Sequence, residues 1–189
     1  MDPLLIDIPD AFETERLIVR CPRPGDGRLV YEALVESLDA LRRFPASLPW
    51  ALEAPSVERS ELFCREGFAD FVARRDFPFL IFVRHTSTLA GCCGLRSPDW
   101  SIPAFDIGWW GRASCLGQGL VTEAVSGLLD FAKSRLGARR IAAFVDERNV
   151  RSLRVCERAG MQLEGVLRHE RIDPDGTLRD TCVYARVSE

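Results

Sequence analysis

Apolar positions recur along the chain at two spacings, and the change from one to the other marks out its elements. Thr14-Glu15-Arg16-Leu17-Ile18-Val19-Arg20 alternates and carries β-branched residues, the pattern of a half-buried strand. Residues 1–11 before it read as a loose lead-in. Pro22, Pro24, Gly25 and Gly27 break the chain. Leu29, Ala33, Leu34, Leu38 and Leu41 then fall at helical spacing, which predicts a helix from about Asp26 to Arg43. Two prolines in Phe44-Pro45-Ala46-Ser47-Leu48-Pro49-Trp50 interrupt any regular helix there. Ser56 can cap a second helix, with Leu62, Phe63, Phe68, Phe71 and Val72 as its apolar positions.

Strand-like runs follow. Phe79–Val83 and Leu89–Leu95 flank His85-Thr86-Ser87-Thr88 and predict an antiparallel hairpin, with Gly91 and Gly94 marking bends or close backbone approach. A turn-rich link at 97–103 leads to an apolar strand over 105–110. Val125, Leu128, Leu129, Ala132 and Leu136 mark the buried face of a helix that Gly137 stops. Ile141–Val145 is a short strand; joined to 105–110 through that helix, it is expected parallel and right-handed. Asn149–Met161 reads as a capped helix ending in glycine. Two closing strands, Gln162–Ile172 and Asp180–Val187, flank a turn at Asp173-Pro174-Asp175-Gly176. The order predicts an α+β fold with a mixed, mostly antiparallel sheet, in one domain over residues 1–189.

The chemistry concentrates in Gly117-Gln118-Gly119-Leu120-Val121-Thr122, between a predicted strand and a predicted helix. Glycines let the backbone approach a ligand, and the first helical turn leaves N–H groups unpaired at the positive end of the helix dipole. That is an anion site suited to a phosphate or pyrophosphate. A P-loop would need Lys after its last glycine, where Leu120 stands. A dinucleotide fold would need a third glycine where Thr122 stands, although Asp146 supplies an acid after the next strand.

A third phosphate-binding loop matches more of the chain. The stretch resembles the acetyl-CoA loop of the GNAT acetyltransferases, Gln/Arg-x-x-Gly-x-Gly/Ala, with Gly119 on the first glycine. Gly117-Gln118-Gly119 followed by Thr122-Glu123-Ala124, together with Thr14-Glu15-Arg16-Leu17, is similar to the RimJ/RimL branch. Asn149-x-x-Ser152-x-x-x-x-Glu157-x-x-Gly160-Met161 resembles the family's second motif. Leu116 and Val121 depart from the loop pattern, and Cys156 stands where related enzymes place a tyrosine.

The resemblance implies acetyl-CoA as cofactor, leaving as CoA, on Gly108, Trp109, Trp110, Gly117, Gln118, Gly119, Leu120, Val121, Thr122, Asn149 and Ser152. It implies a GNAT fold in which strand 105–110 splays from 141–145 and points N–H groups at the thioester carbonyl. Ser152 would serve the leaving thiol, Glu170 would be the base with His169 its rival, and Trp50 would line the acceptor side. Strand alternation puts Glu170 and His169 on opposite faces. Asn149 also reads as a plain N-cap, Glu157 as a solvated helix charge and Cys156 as helix core. The acceptor is an amine: a protein or peptide N-terminal α-amine leads, with a small-molecule amine as alternative. A non-catalytic CoA-binding module and a dinucleotide oxidoreductase are the remaining readings.

Composition narrows this further. The net charge of −3 carries no electrostatic footprint for nucleic acid. Seven cysteines without CxxC spacing, and only two histidines, fit free thiols in a reducing cytoplasm, with no metal site expected. No apolar run approaches the roughly 20 residues of a membrane span, so no membrane partner is expected. A monomer or homodimer is compatible with all of this.

Overall fold

The computed structural model describes residues 2–188. These form an eight-stranded sheet flanked by helices, in the order β1 (Ala11–Glu13), β2 (Leu17–Arg20), α1 (Gly27–Leu41), α2 (Val57–Val72), β3 (Phe77–Val83), β4 (Leu89–Asp99), β5 (Ala104–Gly111), α3 (Leu120–Leu136), β6 (Arg140–Asp146), α4 (Val150–Arg158), β7 (Gln162–Ile172) and β8 (Leu178–Val187). Spatially the strands run β1-β2-β3-β4-β5-β6-β8-β7. Every neighbouring pair is antiparallel except β5 and β6, which are parallel across the α3 crossover. The predicted mixed α+β architecture is the one observed.

Strand alternation divides the core between the two faces of the sheet. Leu17, Val19, Phe79, Ile81, Phe105 and Ile107 turn to the side of α3, where Val125, Leu128, Leu129 and Ala132 complete the main cluster. Leu80, Phe82, Leu89 and Cys92 turn to the other side and meet Val30 and Ala33 of α1 and Cys64 of α2. All seven cysteines are free and buried.

Several elements differ from their sequence expectation. The segment before β1 is not wholly loose: Pro3–Leu5 makes a 3-10 turn capped by Asp2, and Ile8 is buried in the main cluster. The strand expected over 14–20 begins only at Leu17: residues 14–16 are a corner between β1 and β2, where Thr14 and Arg16 turn out to bind Glu123. Ser56 does cap α2, its side chain accepting from Arg59 N–H. The buried stripe of α2, however, is Ser60, Cys64, Gly67 and Phe71, while Leu62, Phe68 and Val72 are exposed. In α1 the stripe is Val30, Ala33, Ser37 and Leu41, with Leu29 exposed. The two helices touch through small residues: a Cβ on Gly27 would lie 2.5 Å from Glu61 Cα. Close approach of backbones selects small side chains, so a search for large apolar ones finds only part of each stripe, Ala33 and Leu41 in α1 and Phe71 in α2.

Candidate active site

The glycine loop is built as its sequence implies. Gly117 and Gly119 hold φ of 79° and 77°, left-handed values that glycine adopts without cost. Gly119 caps α3, whose first intrahelical bond runs from Glu123 N–H to Gly119 C=O at 3.0 Å. The N–H groups of Leu120, Val121 and Thr122 therefore have no partner within the helix. A Cβ on Gly117 would meet nothing within 4 Å, and one on Gly119 only the Arg16 guanidinium at 3.5 Å. The bare backbone thus faces open space, with a cation beside it.

Arg16 was not singled out by its sequence, yet it braces the loop. Its Nη1 donates to Gln118 C=O at 3.0 Å, and its Nε donates to Glu123 at 2.6 Å. Glu123 also accepts from Thr14 Oγ1 and Arg16 N–H. Burial alone would raise the Glu123 carboxyl, but these donors outweigh it and hold it low. The Thr-Glu-Arg and Thr-Glu-Ala motifs, about a hundred residues apart, are two halves of one clamp on the start of α3. Leu116 and Val121, the departures from the loop pattern, pack over Gly111: a Cβ there would lie 2.8 Å from each. Their bulk is matched by a missing side chain on the neighbouring strand.

Next to the loop the sheet opens. β5 and β6 pair only at Ala104↔Arg140, Phe105↔Ile141 and Asp106↔Ala142. Beyond Asp106 the strands part, while β5 stays paired with β4 as far as Gly111. The edge of Ile107–Gly111 that faced β6 has lost its strand partner. Gly91 permits the tight β4–β5 approach here, since a Cβ on it would lie 2.2 Å from Trp110 O. A cavity of about 830 Å³ runs through this gap. Gly108, Trp109, Trp110, Asn149 and Ser152 line it at the gap, and Phe44, Trp50 and Phe63 line its α1–α2 side. Asn149 caps α4 by accepting from Ser152 N–H at 3.2 Å. Trp50, on a 3-10 turn at Pro49–Leu52, is 42% exposed and faces the cavity.

The structure thus brings together Trp50, Gly108, Trp109, Trp110, Asn149 and Ser152 in one cavity; residues 117–122 do not line it, and the loop connects to it through Val121, which packs on Gly111 next to Trp110. Glu170 does not line that cavity. Its Oε2 accepts from Thr181 Oγ1 at 2.7 Å and from Arg171 Nε at 2.9 Å, and Arg171 is the residue that reaches the cavity. The alternation argument for His169 and Glu170 fails locally. The β7–β8 register shifts between Leu167↔Thr181 and Arg171↔Arg179, and His169 sits in this bulge with φ of 55°. Glu157 accepts from Tyr184 Oη at 3.3 Å. Cys156 is wholly buried, and burial pushes its thiol up to about 12, which suits helix core and not a nucleophile.

The carboxylate at the vertex of the gap is Asp106, which the sequence reading passed over. It shares a strand face with Gly108 and Trp110 and lines the cavity. Burial raises its carboxyl above the ordinary value, against the opposing charges of Arg96 and Arg140. Asp146 also lines the cavity, but Arg148 holds it: burial would raise it, and the Arg148 bonds at 2.8–3.0 Å outweigh that and keep it low.

A parallel pair that separates at a glycine-opened helix, with unpaired donors on both sides, defines a class: a transferase that holds an acyl-CoA across a split sheet. The open glycine backbone, the free N–H groups and Arg16 fit a CoA pyrophosphate, and the gap at Gly108–Trp110 beside Asn149 and Ser152 fits the pantetheine arm.

Comparison with known proteins agrees. Residues 16–162 match the family described as acetyltransferase (GNAT) domain. The chain is 29% identical over 177 residues to the uncharacterized N-acetyltransferase YoaA of Bacillus subtilis, covering 93% of this chain and 96% of that protein. Its fold is similar to that of the microcin C7 self-immunity acetyltransferase MccE, solved with acetyl-CoA and AMP (TM-score 0.83, 20% identity, 93% of this chain and 94% of that one). It is equally similar to RimL, a ribosomal L7/L12 α-N-protein acetyltransferase solved with coenzyme A (TM-score 0.83, 22% identity, 95% and 97%). The chain belongs to the GNAT acetyltransferase family. It is an N-acetyltransferase that uses acetyl-CoA, which sets aside the dinucleotide and non-catalytic readings. Among the described residues, no helix is long and apolar enough to cross a membrane.

Proposed function

We propose that this enzyme acetylates the α-amine of a peptide or protein N-terminus, with the acceptor entering from the α1–α2 side of the cavity. The observation that carries this is the continuity of the cavity: it joins Trp50 and Phe63 on one side to Ser152 on the other through the β5–β6 gap. Similarity in fold to RimL supports the acceptor class. So does the chemistry of the amine, since a group titrating near 7.7–8 is already about 10–20% neutral at pH 7. A lysine side chain near 10.4 would need far more help. A reducing, cytoplasmic setting is part of this reading, and the free buried thiols support it.

Acetyl-CoA supplies a thioester whose carbonyl carbon takes the amine and whose sulfur leaves as thiolate. The residues of this chain do the rest. The loop N–H groups and Arg16 hold the pyrophosphate, and Asn149 and Ser152 flank the arm. The partnerless edge at Gly108–Trp110 offers backbone N–H to the developing oxyanion. As the amine replaces sulfur on the acyl carbon, a carboxylate in the cleft would take the amine proton, and Ser152 Oγ or water would return a proton to the leaving thiolate. Asp106 fits the proton acceptor better than Glu170, because Asp106 lines the cavity and Glu170 is engaged by Arg171 and Thr181.

The test is acetyl-CoA turnover against N-terminal peptides, polyamines and aminoglycosides side by side. Peptide α-amines should lead in kcat/KM. Turnover confined to the polyamines or aminoglycosides would replace this reading with the small-molecule one.

A further inference from the structure

Arg96 and Asp106 are direct partners across β4 and β5. Cross-strand partners share a face with Cβ atoms about 5 Å apart, and both side chains line the acceptor side of the cavity. Opposite charges so placed ordinarily close on each other. Here, among the described residues, they do not: Asp106 feels Arg96 through space and accepts no hydrogen bond from it. The Arg96 guanidinium lies instead over Gly108, where a Cβ would meet its Nη2 at 3.1 Å and its Cζ at 3.6 Å. It rests on the bare backbone of β5, just past the point where β5 and β6 separate.

The other charged groups of the cavity are largely engaged. Arg59 pairs with Glu53, and Arg171 with Glu170. Asp70 pairs with Arg75 and Asp146 with Arg148, while Asp76 accepts from Ser97 N–H. Glu66 stands apart on the α2 wall. At the vertex of the gap, then, a cation and a carboxylate stand side by side with neither neutralised by a bond. Arg96 is exposed and Asp106 half-buried, so both charges are left to water and are open to a ligand that carries the two complementary charges.

We infer that Arg96 and Asp106 form a bipolar acceptor site, selecting an α-amine whose own residue carries a carboxylate. The amine faces Asp106 and the carboxylate faces Arg96. In an amino-terminal aspartate or glutamate these groups are separated by a few bonds, which matches neighbouring positions on one strand pair. Gly108 belongs to the same device, because any side chain there would displace the guanidinium. This specificity rests on the proposed α-amine acceptor and narrows it to acidic first residues.

The experiment compares acetylation of peptides identical except at residue one, Asp against Asn and Glu against Gln, by the wild type and Arg96→Gln. The wild type should prefer the acidic member of each pair by about tenfold or more in kcat/KM, mainly through KM. Arg96→Gln should bring each pair near parity, with CoA affinity by calorimetry reporting that the variant is folded. Equal use of acidic and neutral peptides by the wild type overturns the inference while leaving the α-amine acceptor standing. So does a preference that survives in Arg96→Gln. If no peptide is acetylated while a polyamine or aminoglycoside is, the acceptor class itself is wrong and this specificity falls with it.

Discussion

Asp106 and Glu170 are both strand carboxylates close to the sheet opening, and their surroundings give them different work. Glu170 accepts from Thr181 and Arg171 and so orients an arginine at the cavity wall. Asp106 is raised by burial, which suits a group that must take a proton and release it. Asp106→Asn should lower kcat/KM by about a hundredfold at pH 7 with CoA affinity intact, whereas Glu170→Gln should stay near the wild type. The Asp106→Asn deficit should shrink as pH rises through the acceptor amine's own pKa. In the wild type, activity should fall as pH drops through the raised Asp106 value, because the protonated carboxyl no longer accepts. A large loss in Glu170→Gln with none in Asp106→Asn would reverse the assignment. The family resemblance pointed to Glu170, and nothing in the local strand pattern marked Asp106. Only the pairing at Asp106↔Ala142 and the bulge after Leu167 separate them.

Among the elements, the opening turn of α3 is the one a local change disables most directly. Gly119→Val imposes a branched side chain at φ of 77°, a conformation that costs roughly 1–2 kcal/mol, and it brings bulk into the phosphate path. CoA affinity should drop sharply by calorimetry; an unchanged value would move the pyrophosphate elsewhere. Asn149→Ala removes the α4 cap and should lower stability by about 1 kcal/mol in denaturant unfolding. Ser152→Ala leaves that cap and should act on turnover instead. A further element contact carries a pH signature. Glu36 of α1 accepts from Ser114 N–H at 2.7 Å and from Arg112 Nε at 2.6 Å, which ties α1 to the segment after β5. Bonding to Ser114 first, then Arg112, holds its carboxyl at about 2, below the ordinary 4.5. A folded value below the unfolded one means the stabilisation is complete above about pH 4.5 and is lost as pH falls through about 2. Glu36→Gln should flatten that part of the acid slope of Tm, and an unaltered slope would show that Glu36 does not contribute.

Across the whole molecule, Asp173 in the turn between β7 and β8 joins the loop after α1 to the residue before the α4 cap. Its Oδ1 accepts from Ala46 N–H at 3.2 Å, and its Oδ2 accepts from Arg179 Nε at 2.5 Å and Arg148 Nη2 at 3.4 Å. Arg148 in turn lies 6.0 Å from the Phe44 ring centroid and immediately precedes the α4 cap. One buried carboxylate thus pins the Phe44–Trp50 loop to the start of α4. Asp173→Asn should raise the acceptor KM while leaving the CoA Kd unchanged. Asp173→Ala, which leaves Arg179 without its carboxylate and Arg148 with Asp146 alone, should destabilise by about 2 kcal/mol. A shift in CoA Kd equal to the shift in acceptor KM would mean the loop is not the element being held.

The sequence by itself determined the order and type of the elements from β2 onward, the glycine turn at 117–122 and the cap at Asn149. Each of these is local: a period, a cap or a left-handed glycine is encoded within a few neighbouring residues. The family resemblance added the cofactor and the split between β5 and β6. Tertiary structure decided what depends on distant partners. It set the small-residue stripes of α1 and α2, because helix approach is governed by the facing surface. It made Arg16 and Glu123 a clamp across 107 residues of chain. It drew Arg96 over Gly108 and placed Asp106 at the last paired position before β5 and β6 part, its carboxylate next to the backbone edge that the parting exposes.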